Sequence, residues 1–280
     1  MSGISIGSLF SGIGGLELGL ERALGARTLW QIEQDPFCQR VLARHWPDAT
    51  RYDDVRTATA LPVVDVMCGG FPCQDISIAG KGAGLAGARS GLWTEFARLI
   101  GEGRPRVVVV ENVAALAGRG LDIVITTLAD LGYVGSWNMV SAASVGAPHL
   151  RRRLFIVAAD ADRVGVRSKQ WWGEAWSRAR KSVDAGAQGI AADADGAGCE
   201  ECDPAALAGT EGLCPWGPDA GWCGWLPASP VRRVDDGIPE GVDRPRRRRP
   251  APDRHRIKAL GNAVVPQVAE VVGHVVKDLL

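Results

Sequence analysis

Of the seven cysteines in the chain, Cys73 stands in the setting best suited to covalent chemistry. It lies in Gly69-Gly70-Phe71-Pro72-Cys73-Gln74-Asp75-Ile76-Ser77, after the apolar stretch Val63–Met67 and before a loop carrying Gly80, Gly82, Gly84, Gly87 and Gly91. A strand over Val63–Met67 puts the thiol at the carboxyl end of a sheet, where α/β proteins build ligand sites. A glycine-rich loop beside a thiol suits a nucleophile that must close over a large substrate. A buried structural cysteine is the plainer reading, and Cys68, in Val66-Met67-Cys68, fits it better than Cys73 does. Glu111 follows four consecutive valines, Val107–Val110, and points to the same edge. A proton-donating carboxyl group beside a thiol makes a workable acid–nucleophile pair. Arg151, Arg152 and Arg153 precede the apolar run Leu154–Ala158. Read as strand, they turn Arg151 and Arg153 to one face and Arg152 to the other. A solvated basic strand edge is the alternative.

A second constellation suits a bound nucleoside. Phe10-Ser11-Gly12-Ile13-Gly14-Gly15 ends the first apolar run, and a glycine-rich turn between strand and helix lets a ligand approach the backbone. The dinucleotide fingerprint G-x-G-x-x-G fails at its third glycine, where Glu17 stands. A nucleoside without a pyrophosphate therefore fits better than a dinucleotide. Glu33 follows at about the 20-residue distance typical of an acidic group on ribose hydroxyls. A plain strand–helix turn with a solvated glutamate is the alternative.

The elements that must position these groups alternate. Ile4–Phe10 and Thr28–Ile32 read as strands, Gly15–Leu24 and Pro36–His45 as helices. Val63–Met67 reads as a strand, a helix begins at Leu92, and Val107–Val110 reads as a strand buried on both faces. Leu121–Leu131 reads as a helix and Leu154–Ala158 as a strand. This alternation predicts a doubly wound, mostly parallel sheet of the α/β class. Over residues 159–231 the periodic signal fades. It returns at Ile257–Leu280, where Val264, Val265, Val268, Val271, Val272, Val275 and Val276 form a helical stripe around Pro266. A chain that leaves its core and rejoins it suggests an inserted recognition module. The expected organisation is a catalytic and cofactor-binding domain over 1–158, a recognition region over 159–256, and a returning C-terminal segment over 257–280.

Composition narrows the function classes. With 46% hydrophobic and 23% charged residues, the chain is not disordered throughout. No apolar run is expected to reach the ~20 residues of a membrane helix, and the N-terminus lacks the basic start and apolar core of a signal peptide. The odd cysteine count reads as reduced thiols. Thirty-two basic residues balance thirty-two acidic ones, but the balance is a cancellation. Residues 159–231 carry 6 basic and 11 acidic groups, while 232–258 carry 10 basic and 5 acidic. Binding responds to local potential more than to the total, so the zero does not exclude nucleic acid.

Taken together, FSGIGG, GGFPCQDIS, ENV, the triple arginine and GNAVVP occur in the order and approximate spacing of DNA (cytosine-5)-methyltransferases. The chain resembles that family over roughly residues 4–158 and 257–280. The resemblance implies a Rossmann-like S-adenosylmethionine-dependent methyltransferase fold and methylation of carbon 5 of cytosine in a specific duplex DNA sequence. It implies that Phe10, Gly12, Gly14, Glu33, Asp54, Pro72 and Leu92 line the S-adenosyl-L-methionine pocket, with Asn262 and Ala263 completing it. Asp54 takes the adenine-recognising position. Cys73 is the nucleophile at C6 of a flipped base, Glu111 engages the ring, Arg153 holds the base carbonyl, and Arg151 matches the other arginine of that motif. Ser77 touches the phosphate backbone. No metal is implied. The resemblance also implies a cytoplasmic monomer, prokaryotic or phage-encoded, serving restriction-modification or phage DNA protection, with a cognate endonuclease as a separately acting partner and no membrane. An RNA cytosine methyltransferase, or a non-catalytic DNA-binding regulator of the same fold, are the alternatives.

The chain departs from the family pattern in places. His149 stands where the family has Gln, and activity is expected to survive this. Val231–Pro239 resembles a divergent form of the family's ninth motif. Arg244–Arg256, with Arg246, Arg247, Arg248, Arg249 and three prolines, reads as an insertion and a disordered basic loop on phosphates. Cys199, Cys202, Cys214 and Cys223 make either a zinc site or scattered thiols; the second pair is separated by eight residues, too far for a standard knuckle. Trp171, Trp172 and Trp176 fit a small core better than a base-contacting surface.

Overall fold

A computed structural model describes residues 3–72, 91–147, 149–165, 167–192 and 251–280. Strands β1 (Ser5–Leu9), β2 (Arg27–Ile32) and β3 (Thr50–Tyr52) alternate with helices α1 (Gly15–Leu24) and α2 (Pro36–His45). Then come β4 (Val66–Gly69), α3 (Gly91–Gly103), β5 (Val107–Val113), α4 (Leu121–Asp130), β6 (Tyr133–Val140) and β7 (Arg153–Asp160). Helices α5 (Ala161–Val164), α6 (Lys169–Ala192), α7 (Ala251–Asn262) and α8 (Pro266–Lys277) follow.

The seven strands form one sheet in the order β3-β2-β1-β4-β5-β7-β6. Strands β1 to β5 run parallel, and β7 lies antiparallel between β5 and β6. The order 3-2-1-4-5 is that of the doubly wound nucleotide-binding sheet, so the expected Rossmann-like class holds. Such sheets bind ligands where strand order reverses, here between β1 and β4.

The residues explain the layers. Val107, Val108, Val109 and Val110 are fully buried because helices cover both faces of β5. On one face lie Ile6, Cys68, Val107, Val109 and Phe155 with α1, α6 and α8. On the other lie Leu9, Met67, Val108 and Val110 with Trp93 and Phe96 of α3 and Val124 and Leu128 of α4. The valine stripe of α8 behaves as its spacing predicts: Val268, Val271, Val272, Val275 and Val276 are buried. Burying each contributes about 1.5–3 kcal/mol. Helices α1 and α8 touch through backbone. A Cβ at Gly19 would stand 2.4 Å from Ala269 Cβ, and one at Gly273 would stand 2.5 Å from Ala23 Cβ.

Several expectations change. The fifth apolar run forms its strand later, at Val66–Gly69, because pairing to Ile6–Leu9 and Val107–Val110 sets the register and leaves Val63 69% exposed. Strand β5 runs on through Glu111, Asn112 and Val113, because β7 gives them antiparallel partners. The faded region contains α6, whose Trp172, Ala175, Trp176 and Ala179 are buried against the α1–α8 layer. The packed layer therefore extends past residue 158, and the core reading of Trp172 and Trp176 fits their burial. The stretch read as a basic loop is helical from Ala251 onward. Finally, Arg254–Lys277 contains an 18-residue window whose mean hydropathy, 1.2, would allow it to span a membrane by length and composition alone, where no such run was expected. It is two helices, parted at residues 263–265, and the second buries its apolar stripe in the core.

Candidate active site

A cavity of about 740 Å³ opens at the β1/β4 switch point. Ligand pockets typically span about 300–1,000 Å³. Its walls come from the carboxyl ends of β1, β2, β4 and β5, the start of β7, and the α7–α8 connection.

The first wall is the turn after β1. Phe10 has a φ of 54°, in the left-handed region that an aromatic residue rarely enters, and its ring packs 6.3 Å from that of Phe96. Such strain is held by surrounding structure and clusters at functional sites. The Gly12 amide donates to Glu33 Oε2 at 2.7 Å, and the Asp35 amide donates to Glu33 Oε1 at 2.8 Å. A carboxylate has about four acceptor positions, so Glu33 keeps two for a ligand. Asp54 accepts from the Arg56 guanidinium, Nε at 2.9 Å and Nη2 at 2.6 Å, and this cation holds its carboxyl below the usual range. The lining carries six carboxylate side chains (Glu17, Glu33, Asp35, Asp53, Asp54 and Glu111) against three cations, Arg56, Arg153 and Lys258.

The second wall is the β5–β7 pair. Val113 pairs with Arg153 and Glu111 with Phe155, so Glu111 and Arg153 share a face as diagonal neighbours. Arg153 Nε lies 3.0 Å from Glu111 Oε1. Burial pushes the Glu111 carboxyl above its ordinary range, while Arg153 and Arg151 pull against that rise. A Cβ at Gly70 would stand 2.7 Å from Glu111 Oε2, so a side chain there would push this carboxyl out of its place. Asn112 is buried; its Nδ2 donates to the Phe71 carbonyl at 3.0 Å and its Oδ1 accepts from the Val113 amide at 2.9 Å. It thereby ties the segment leading to Cys73 to the end of β5.

The third wall is Lys258, Ala259, Asn262, Ala263 and Val264. It packs on α1 so closely that a Cβ at Gly15 would stand 2.1 Å from the Val264 carbonyl oxygen.

Of the residues expected at the site, Phe10, Gly12, Glu33, Asp54, Pro72, Leu92, Glu111, Arg153, Asn262 and Ala263 line this one cavity. Gly14 does not; it caps α1 and lies under Trp46, whose ring a Cβ would meet at 2.3 Å. Arg151 is not on the lining either, nor in the strand. It has a φ of 21° before β7 begins, and its guanidinium turns to the carbonyls of Gly261 (2.9 Å) and Ala263 (2.6 Å). The expected common face of Arg151 and Arg153 therefore does not form. Cys73, Ser77, Arg246, Arg247, Arg248 and Arg249 lie outside the described residues, as do Cys199, Cys202, Cys214 and Cys223. Asn112 was missed as a site residue. A polar side chain in the run Val107–Val113 was the available signal, since a buried amide needs partners.

The profile of the C-5 cytosine-specific DNA methylase family matches residues 4–183, more than half of the chain. The chain belongs to that family. Among curated members, it is 37% identical over 159 residues to the type II methyltransferase M2.BsuMI of Bacillus subtilis, a match covering 54% of this chain and 41% of that protein. It is 32% identical over 162 residues to M.HhaI of Haemophilus parahaemolyticus, covering 56% and 49%. It is 33% identical over 173 residues to M.AquIA of Picosynechococcus sp., covering 54% and 69%. The chain thus spans less than half the length of the first two relatives. The stretch matched to this methylase family contains β1 through β7 and the start of α6, and so the first two walls of the cavity.

Proposed function

We propose that this protein methylates carbon 5 of cytosine in duplex DNA, with S-adenosyl-L-methionine as methyl donor. The observation that carries the reading is that one cavity holds both the Phe10–Glu33–Asp54 wall and the Glu111–Arg153 pair. Methyl transfer needs donor and acceptor in a single enclosure.

The residues present suit this donor. With the buried Glu17 carboxyl set aside, five carboxyl groups still face three cations across the lining, a balance that disfavours phosphates and suits a ligand with hydroxyls, an amine and a positive charge. Glu33 is positioned for ribose hydroxyls, and Asp54 for the adenine. When bound, the donor supplies a methyl group on a positively charged sulfur.

Cytosine C5 is too poor a nucleophile to accept that group unaided. Addition of the Cys73 thiolate at C6 moves ring electrons to C5. Glu111 holds a proton at N3 as negative charge develops there. A carboxyl group raised by burial suits that task near neutral pH. Arg153, which orients Glu111, donates to the base carbonyl. Loss of the C5 proton then expels Cys73. Because the reacting atoms are stacked inside a duplex, the base must leave the stack first. The stretch between the buried face of α6 and the start of α7 is assigned to reading the DNA sequence, with Ser77 and Arg246–Arg249 on phosphates.

DNA containing 5-fluorocytosine tests the reading, since fluorine at C5 blocks the last step. With S-adenosyl-L-methionine present, a covalent protein–DNA complex is expected, and Cys73→Ala is expected to abolish it. A complex that survives in Cys73→Ala overturns the role of the thiol. Labelled methyl appearing in tRNA and not in duplex DNA overturns the substrate.

A further inference from the structure

The structure separates the two arginines that the sequence placed together. Arg153 faces the cavity and pairs with Glu111. Arg151 donates through Nη2 to the carbonyls of Gly261 at 2.9 Å and Ala263 at 2.6 Å. These carbonyls lie at the end of α7, where the last peptide oxygens lack helical partners and the helix dipole favours a cation. The last turn of α7 contains no basic residue of its own. Arg151 supplies that charge from outside the helix, across 110 residues of sequence.

The clamped segment is part of the cavity. Ala259, Asn262, Ala263 and Val264 line it. On its other side the segment rests on α1 at Gly15. It is therefore gripped between the first turn of α1 and the guanidinium of Arg151. Arg151 is also adjacent to the base-side pair, because its charge acts on Glu111. Its backbone adopts a left-handed φ of 21°, a strained conformation for a side chain of this size.

Resting on the methyltransferase reading above, we infer that Arg151 is a positioning residue that fastens the α7 wall of the cofactor cavity to the start of β7, and does not itself contact the base. It makes the donor side and the acceptor side of the cavity share one fastening point.

Two variants test this, Arg151→Ala and Arg151→Lys. The first readout is amide hydrogen exchange of residues 259–264 in the full-length protein with nothing bound. A hydrogen bond from a charged group is strong enough that its loss should speed local exchange about tenfold in Arg151→Ala, with Arg151→Lys in between. The second is the dissociation constant for S-adenosylhomocysteine by calorimetry, expected to rise by about tenfold in Arg151→Ala and to be partly restored in Arg151→Lys. In methyl transfer, KM for the donor should rise while kcat at saturating donor falls by less. A lowered kcat with unchanged exchange and binding would overturn the inference and place Arg151 on the base. If Arg151→Ala fails to fold, Arg151→Lys carries the test, and unchanged exchange and affinity in it overturn the inference. Failure of methyl transfer in the wild type alone would strike the functional reading and leave the exchange result standing.

Discussion

Glu111 and Glu17 line the same cavity, and burial raises the carboxyl group of both, yet their surroundings differ. Glu111 has Arg153 at 3.0 Å, with 8% of its surface exposed. Glu17 is fully buried in the first turns of α1 among Ser8, Ser11 and Gln31, and no ion pair reaches it among the described residues. Its pKa is pushed up to about 7, chiefly by desolvation. Glu17 Oε2 and Gln31 Oε1 are both buried without a hydrogen-bond partner. Two acceptors without a donor make sense if Glu17 is a carboxylic acid, which has an O–H to give. Burial thus sets the direction of the shift, and the neighbour decides the use. Beside a guanidinium, a carboxyl can trade its proton with a ligand. Without one, it stays protonated up to about pH 7 and serves the scaffold.

The strongest way to break this comparison is Glu111→Gln, which keeps the shape and removes the exchangeable proton. Methyl transfer to duplex DNA should fall by about 10²–10⁴-fold in single turnover. A loss of less than tenfold would make Glu111 as structural as Glu17. Arg153→Ala probes the same pair by pH. Because Arg153 lowers the Glu111 carboxyl, removing it should shift the Glu111 limb of the pH–rate profile to higher pH. A limb that stays in place would assign it to another group.

Glu17→Gln should act on stability. The native carboxyl titrates near pH 7 and the unfolded one near 4.5. Between those values the native state binds more protons, so stability falls as pH rises through this window and levels off above it. The loss at pH 8 is about 3 kcal/mol. Glu17→Gln should remove it, so urea unfolding should show a gain at pH 8 and little change at pH 4. A slope that persists in Glu17→Gln and disappears in Glu111→Gln would reverse the roles assigned to the two carboxyls.

What could be read from sequence follows the same division between local and long-range causes. The β1 turn, α1, α2 and the Val107–Val110 strand were legible because apolar period, glycine placement and Pro36 act within a few residues. Strand β6 was missed because it is an edge strand in which Trp137 is exposed and the half-buried face carries the polar Ser136 and Asn138, so no apolar alternation marks it. Helix α6 was missed although Trp172, Ala175, Trp176 and Ala179 keep helical spacing, since alanine adds little hydrophobic contrast. Glu33, Glu111 and Arg153 were legible as residues of the cavity lining because each stands close to the end of a strand at the ligand edge. Arg151 was placed correctly in sequence and wrongly in space. Its turn away from Arg153 depends on carbonyls at Gly261 and Ala263, which no local pattern announces. Glu17 was noted only as the residue that spoils a glycine fingerprint, because its burial depends on packing from β2 and β4.

The smallest effect belongs to a third charge on the cavity. Lys258 of α7 lies 3.2 Å from Asp35, with side-chain exposures of 66% and 25%. Asp35 also caps α2 by accepting from the Phe37 amide at 2.9 Å, so its carboxyl has a partner that does not depend on the lysine. Exposed pairs of this kind contribute about 0–1 kcal/mol and are screened by salt. Lys258→Ala should therefore change stability by less than about 1 kcal/mol, and the change should shrink further in 1 M salt. Donor affinity should fall less than in Arg151→Ala, although both side chains hold the same helix. Denaturant unfolding at two salt concentrations, with S-adenosylhomocysteine titrations of both variants, would decide it. A Lys258→Ala loss equal to that of Arg151→Ala would mean that the α7 wall is held mainly by its exposed latch, and that burial is not what ranks the charges around this cavity.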